Sequence, residues 1–364
     1  MLLLERENAH LRDARITFNE ADHFYTVDSR RVVGSVSSLW ASCFSRFDAP
    51  NTARRMVNRW SSRAAPGAAP DDGQWRWRYA YVWETLVNKT PPDRAVERLD
   101  KSGCPSFDFQ EDDKGYCRLF WHLRQRGVTS FEAQTDALLS LWTALGERAS
   151  GRGTYVHRQA ELHCNSEAFE ETVEMKQYLR FREDHPHLKP YRTEWSVFSY
   201  AHGGSHIVAG QIDGLYLDER SGEYEMIDYK VTAHELSPDN PYNKFGTYPF
   251  DALPDTPWGH YCAQQQIYKY ILEKEYGVRV KRCRLLRLHS SIDEYQLVDV
   301  LEQQFAVATL FDRCALSPRM NVTLTPRQRW RLLFLRWSVL KQLALVLASR
   351  QDLPQQDFLS KEMG

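Results

Sequence analysis

Residues 207–231, IVAGQIDGLYLDERSGEYEMIDYKV, hold two apolar segments around a polar turn, and each segment carries an aspartate near its middle, Asp213 and Asp228. The turn centres on Arg220 and Ser221, and Gly222 supplies the positive φ that a tight antiparallel connection needs. An unbulged hairpin around this turn sets Asp213 directly opposite Asp228. Opposed like charges destabilise a hairpin, and Val208, Ile212, Leu215, Met226 and Ile227 leave little water to screen them. A divalent cation between the carboxylates resolves the conflict. Because side chains alternate along a strand, Lys230 projects beside Asp228, while Tyr229 points away and leaves its carbonyl at the same edge.

Two acids and a lysine at one strand end suggest phosphodiester hydrolysis. Mg²⁺ and Mn²⁺ favour oxygen ligands, and a nearby ammonium positions a nucleophilic water or neutralises charge on a phosphoryl group. Asp-x-Lys taken alone reads more simply as ordinary surface charge, so the rest of the chain decides. Upstream, WTALGERASGRGTYVHRQAELHC (142–164) reads as a helix or a bent helix pair. Gly153, His157 and Glu161 fall on one stripe of it, with the glycine expected to allow close backbone approach beside the imidazole. Neutral imidazole ligates divalent metals, although a helical histidine is also commonly no more than a hydrogen-bonded residue. Downstream, WGHYCAQQQIYKYILEKEYG (258–277) is a second helix on which Gln264 and Tyr268 share a face; its plain reading is an amphipathic packing helix.

These elements, in this order, resemble the RecB-like branch of the PD-(D/E)XK nuclease superfamily. That family shows G-x-x-x-H on a helix, a glutamate on a first strand, G-x-x-D on a second, D-x-K on a third and Q-x-x-x-Y on a following helix. Here they read Gly153 to His157, Glu194 in RTEWSVF, Gly210 to Asp213, Asp228-Tyr229-Lys230, and Gln264 to Tyr268. The resemblance covers roughly residues 142–300. It implies a restriction-endonuclease-like α/β (α+β) fold with a mixed central sheet flanked by helices. It also implies metal ligation by His157, Asp213, Asp228 and the Tyr229 carbonyl, with Lys230 as the catalytic lysine. Gln264 and Tyr268 would support the active centre and the DNA near the scissile phosphate, with Glu194 a supporting acid. The opening ITFNEADHFYTVDSRRVVGSVSSLW (16–40) and the loop NKFGTYPFDALPDTPWGHY (243–261) are similar to segments of phage and large-DNA-virus members.

What the resemblance implies about activity is a Mg²⁺- or Mn²⁺-dependent deoxyribonuclease, an exonuclease acting on DNA ends in replication, recombination or repair. The seven cysteines, Cys43, Cys104, Cys117, Cys164, Cys262, Cys283 and Cys314, are scattered, so no iron–sulfur cluster is expected and reduced thiols of an intracellular protein are. No phosphate-binding G-x-x-x-x-G-K-[ST] loop occurs, so any helicase or recombination partner is a separate protein. The start MLLLERENAH is too short and charged for a secretory segment, and no apolar run approaches the ~20 residues that cross a membrane; a soluble protein is expected. A net charge of −1 places phosphate binding on local basic surfaces rather than on the whole molecule.

Among such local surfaces, RVKRCRLLRLHSS (279–291) reads as a strand with one buried and one solvated face. PRQRWRLLFLRWSVLKQLALVLASR (326–350) reads as a helix whose Arg327 and Arg331, with Lys341 and interleaved Trp330 and Trp337, are candidate DNA contacts; packing on the core is its plainer role. The expected organisation is an N-terminal hairpin (14–34) and helical region to residue 141 with a linker at 61–74. A nuclease core at 142–320, a C-terminal packing helix at 321–350 and a tail at 351–364 follow. WRWRYAYVWETLV (75–87) reads as an aromatic packing helix. The 25-odd residues of loop 232–257 are expected to border the DNA channel, since structureless stretches of that length are rare without a use. Two rival readings are a non-catalytic DNA-binding or assembly protein of the same fold, and a zinc site built from His157, His163, Cys164, His202 and His206, whose spacing fits no compact zinc motif.

Overall fold

The computed structural model describes residues 2–20, 22–32, 34–61, 120, 123–125, 127–200 and 206–313. The C-terminal helix with Arg327 and Arg331, the tail, the aromatic segment 75–87 and all but Ser61 of the linker lie outside them, as does His202. The chain divides into two compact units, residues 1–45 with 157–364 and residues 46–156, so the opening hairpin groups with the sheet and the division falls after Val156, not at residue 141.

In chain order the elements are α1 (Leu3–Glu7), β1 (Ile16–Asn19), β2 (Phe24–Val27), β3 (Arg30–Arg31), β4 (Gly34–Ser35), α2 (Val36–Ala41), α3 (Ala49–Trp60), α4 (Phe131–Cys164) and α5 (Val173–Asp184). They continue with β5 (Leu188–Tyr200), β6 (Ile207–Asp218), β7 (Glu223–Val231), α6 (Pro257–Ile271), a π-helical turn Leu272–Tyr276, β8 (Val280–Leu288), β9 (Gln296–Asp299) and α7 (Gln304–Arg313). The fold is mixed α/β. Helix starts follow local chemistry: Ser35 and Ser38 form a reciprocal capping box on α2, and Thr256 caps α6 with Pro257 behind it. The smaller unit packs α3 and α4 through Ala53, Val57, Leu138 and Leu141.

The central sheet runs β4-β6-β7-β8-β9, with β5 on the other side of β6. β5 and β6 are antiparallel, as are β6 and β7, whereas β7 and β8 are parallel, which makes the sheet mixed. The β6–β7 hairpin closes at Asp218↔Glu223 around Gly222 at φ 71°, and its register is the expected one. The ladder ends at Gly214↔Ile227, one step before Asp213 and Asp228. Beyond that point β6 pairs instead with β4, at Val208 and Ala209. Neighbouring strands therefore part company where the two aspartates sit.

β8 departs from its expected half-solvated pattern, because a parallel inner strand is covered on both faces. Every residue from Cys283 to Leu288 is buried. Arg284 pairs with Glu225, and Arg287 donates to the carbonyl of Thr232 at 3.0 Å and to Gln296 at 2.6 Å, so both arginines serve the fold. Loop 232–257, expected to be structureless, is held in place: Leu236, Phe250 and Leu253 are buried, and the Thr247 N–H donates to the Cys43 carbonyl at 2.6 Å. None of the described helices is long and apolar enough to cross a membrane.

Candidate active site

Three of the predicted residues are delivered by three adjacent strands. Thr193↔Gly214 and Trp195↔Ile212 bracket Glu194 and Asp213 and put them opposite one another, while Asp213 faces Asp228 across the parted hairpin. Glu194 has φ 45°, a left-handed conformation that a non-glycine residue rarely holds within a strand. Side-chain alternation breaks at the same place. Ile212 and Leu215, three positions apart, both enter the core beneath α6, so the backbone turns over between them and frees the Asp213 carboxylate to lie within the gap.

The parted strands leave backbone donors that side chains satisfy. Asp213 Oδ2 accepts the Tyr229 N–H at 2.8 Å, and the Tyr268 hydroxyl accepts the Gln211 N–H at 3.2 Å. Gly210 makes the second of these possible. A β-carbon there would stand 2.6 Å from the Tyr268 hydroxyl oxygen and 3.0 Å from Val36 Cγ2. Gly210→Ala should therefore lower stability by about 1–3 kcal/mol, measured by urea unfolding, through overpacking and an orphaned strand N–H.

His157 reaches the gap from α4. Its Nε2–H donates to the Tyr229 carbonyl at 2.8 Å, leaving Nδ1 facing Asp213 Oδ2 at 3.5 Å and Glu194 Oε1 at 3.7 Å. One ligand atom from each of His157, Glu194 and Asp213 lies within 4.8 Å of the others, in partly buried surroundings. This group can hold a metal ion. Glu194 Oε1 is enclosed without a hydrogen-bond partner, and burial, followed by the charges of Asp213, Glu161 and Asp228, holds its carboxyl well above the usual range. A proton or a cation is the natural occupant of such a site.

Asp228 and Lys230 lie beside this group and face α6. Lys230 Nζ is 2.5 Å from Asp228 Oδ2 and 4.5 Å from the centre of the Tyr261 ring. Burial pushes the Asp228 carboxyl up to about 6 against the opposing pull of Lys230, and the Asp213 charge adds to the rise. For Lys230, burial works against the charge, but Asp228 and Asp213 outweigh it and raise its pKa.

Glu194 joins His157 and Asp213, while Asp228 is engaged by Lys230 and by an amide that sequence reasoning missed: Gln265 Nε2 donates to Asp228 Oδ1 at 2.8 Å. The expected Gln264 instead meets Tyr268 one turn on, whose hydroxyl burial holds well above its ordinary range. Tyr261, Gln264, Gln265 and Tyr268 follow the i, i+3, i+4, i+7 stripe of one helix face, and that spacing was the signal for Gln265. Gly153 does not serve the imidazole, since a β-carbon on it would meet nothing within 4 Å. His163 and Cys164 of the rival zinc set turn away, the ring against Phe169 and Tyr178 and the thiol to the Tyr178 hydroxyl at 3.0 Å.

No protein-family profile and no curated protein matches the chain. Among solved structures, one titled "Crystal structure of SSO0001" is similar at 14% identity, over 46% of this chain and 66% of that one, with a TM-score of 0.24.

Proposed function

We propose that this protein is a divalent-metal-dependent deoxyribonuclease, an exonuclease working at DNA ends inside cells beside separate helicase or recombination proteins. The observation that carries this reading is the convergence of His157, Glu194 and Asp213 on one point, with the Asp228–Lys230 pair alongside. Two carboxylates and one imidazole suit Mg²⁺ or Mn²⁺. Bound there, such an ion supplies Lewis-acid stabilisation of phosphoryl oxygen charge and acidifies a water. The Tyr229 carbonyl and Asp228 would make up the fuller ligand set that the family resemblance implies.

The chain's own groups have distinct tasks. The Tyr229 carbonyl fixes the His157 ring so that Nδ1 faces the carboxylates. Lys230 holds its positive charge beside the attacked phosphate and orients the attacking water. Asp228, held by Gln265 at 2.8 Å and paired with Lys230, anchors the ammonium at the site and is the further carboxylate that would hold the ion.

The test is a time course on 5′- and 3′-labelled linear and circular DNA with Mg²⁺, Mn²⁺ or EDTA. Metal-dependent shortening of linear DNA alone supports the reading, cutting of circles reassigns it to an endonuclease, and binding without cleavage favours a non-catalytic DNA-binding protein of the same fold. Independently of activity, Mn²⁺ at a hundred times its dissociation constant should stabilise the protein by about 2.7 kcal/mol. Thermal melting reads this shift, and Asp213→Asn should erase it.

A further inference from the structure

Beside Glu194 lies a cavity of about 210 Å³, several times the share of one water molecule. Its wall combines Ile16 and Phe18 of β1 with Glu5, Glu161, Glu194 and Ser196. The small β1–β2 hairpin is seated on the sheet by Ile16 and Val27, both buried against Phe198 and Ala209. One pair further along the same face, Phe18 stands opposite Tyr25. The Phe18 ring centre lies 4.6 Å from that of Tyr25 and 5.6 Å from that of His23. This aromatic row runs from the hairpin core toward the metal-binding group, and the Tyr25 hydroxyl, raised to about 12 mainly by burial, also feels the Glu194 charge.

We infer that this cavity is a nucleobase subsite, in which the terminal base of a DNA strand lodges against Phe18 while its phosphate sits at His157, Glu194 and Asp213. The inference rests on the nuclease reading. Three features select a base over other occupants. The wall is acidic on balance, since its one cation, Arg192, is paired with Asp13 while Glu5, Glu161 and Glu194 remain, and this disfavours a second phosphate. Its carboxylate and hydroxyl oxygens accept hydrogen bonds from the amino and imino N–H groups on a base edge. The Phe18 ring, backed by Tyr25 and His23, supplies the π contact that holds bases without regard to sequence. Glu194 belongs to both the cavity wall and the metal-binding group, so base and phosphate of one nucleotide are addressed together.

The experiment measures binding of single-stranded oligonucleotides that end in a normal or an abasic nucleotide, by fluorescence anisotropy with Ca²⁺ replacing Mg²⁺. Stacking worth about 1–3 kcal/mol per base gives the normal end roughly a fivefold to 150-fold advantage. Phe18→Ala should erase that advantage. Phe18→Leu, which keeps apolar volume in the hairpin, should erase it too while binding abasic ends as the wild type does. Equal binding of both ends by the wild type, or a preference that survives Phe18→Leu, overturns the subsite. Cleavage with Mg²⁺ is followed in parallel: cleavage without a base preference sinks the subsite alone, a base preference without cleavage sinks the nuclease reading alone, and no DNA binding sinks both.

Discussion

Lys230→Ala is expected to slow metal-dependent cleavage of linear DNA by about a thousandfold, roughly 4 kcal/mol of transition-state stabilisation, measured under single-turnover conditions. Among the described residues its ammonium is the cation that pairs with Asp228, beyond the end of the β6–β7 ladder. Its loss should also be felt in stability. Removing one partner of a buried pair costs about 3–5 kcal/mol when the remaining charge stays ionised. Asp228 has an escape, because its carboxyl already lies near 6 and rises further without Lys230. A group whose folded pKa is raised contributes stability below its unfolded value, about 3.9, and loses it as pH climbs through the folded value. Lys230→Ala should accordingly be more destabilised at pH 8 than at pH 5 in urea unfolding. The double variant Asp228→Asn with Lys230→Met separates the two roles, since it should recover stability and remain inactive. Full cleavage by Lys230→Ala would sink the catalytic assignment.

Asp13→Ala should destabilise the protein by about 3–5 kcal/mol, read by urea or thermal unfolding. This carboxylate accepts from Arg192 Nη1 at 2.7 Å, from the His10 N–H at 2.9 Å and from Trp195 Nε1 at 2.8 Å. Arg192 is almost wholly enclosed, its side chain 4% exposed, so it would be left as a buried charge with the Asn8 carbonyl and the Trp195 ring, 4.6 Å away, but no carboxylate. Burial opposes the Asp13 charge, but the bonds from Arg192 and its neighbours win and lower the carboxyl below its usual value. A depressed carboxylate contributes stability above its unfolded pKa and loses it as pH falls through the folded one. The gap between wild type and Asp13→Ala should thus narrow below about pH 4. Glu194 lies two residues from Arg192 on β5, so the same variant should weaken the Mn²⁺-induced shift in melting temperature.

Much of the site was legible because it depends on short-range geometry. The turn at Arg220 to Gly222 sets the hairpin register, and alternation along β7 sends Asp228 and Lys230 one way and the Tyr229 carbonyl to His157. Other features answer to longer range. The alternation expected of β8 failed at Arg284 and Arg287, because pattern alone does not tell which strand will be covered on both faces. Gln264 and Gln265 are neighbours on one helix, and its packing on the sheet, which local sequence does not set, gives Gln265 to Asp228. The place of Glu194 beside His157 follows from a left-handed residue in a strand, a conformation that no local preference of glutamate supplies.

By itself the sequence determined the hairpin, its register and the identity of the groups that meet at its end, because turn chemistry and strand alternation act over a few residues. Only the tertiary structure decided which of those groups share a point. β6 exchanges β7 for β4 at Asp213, and the gap so opened admits His157 and Glu194 while Asp228 turns to Lys230 and Gln265. Packing among segments far apart in the chain sets that partition, and the free energy that enforces it, including Asp13 on Arg192, comes from contacts absent until the chain has folded.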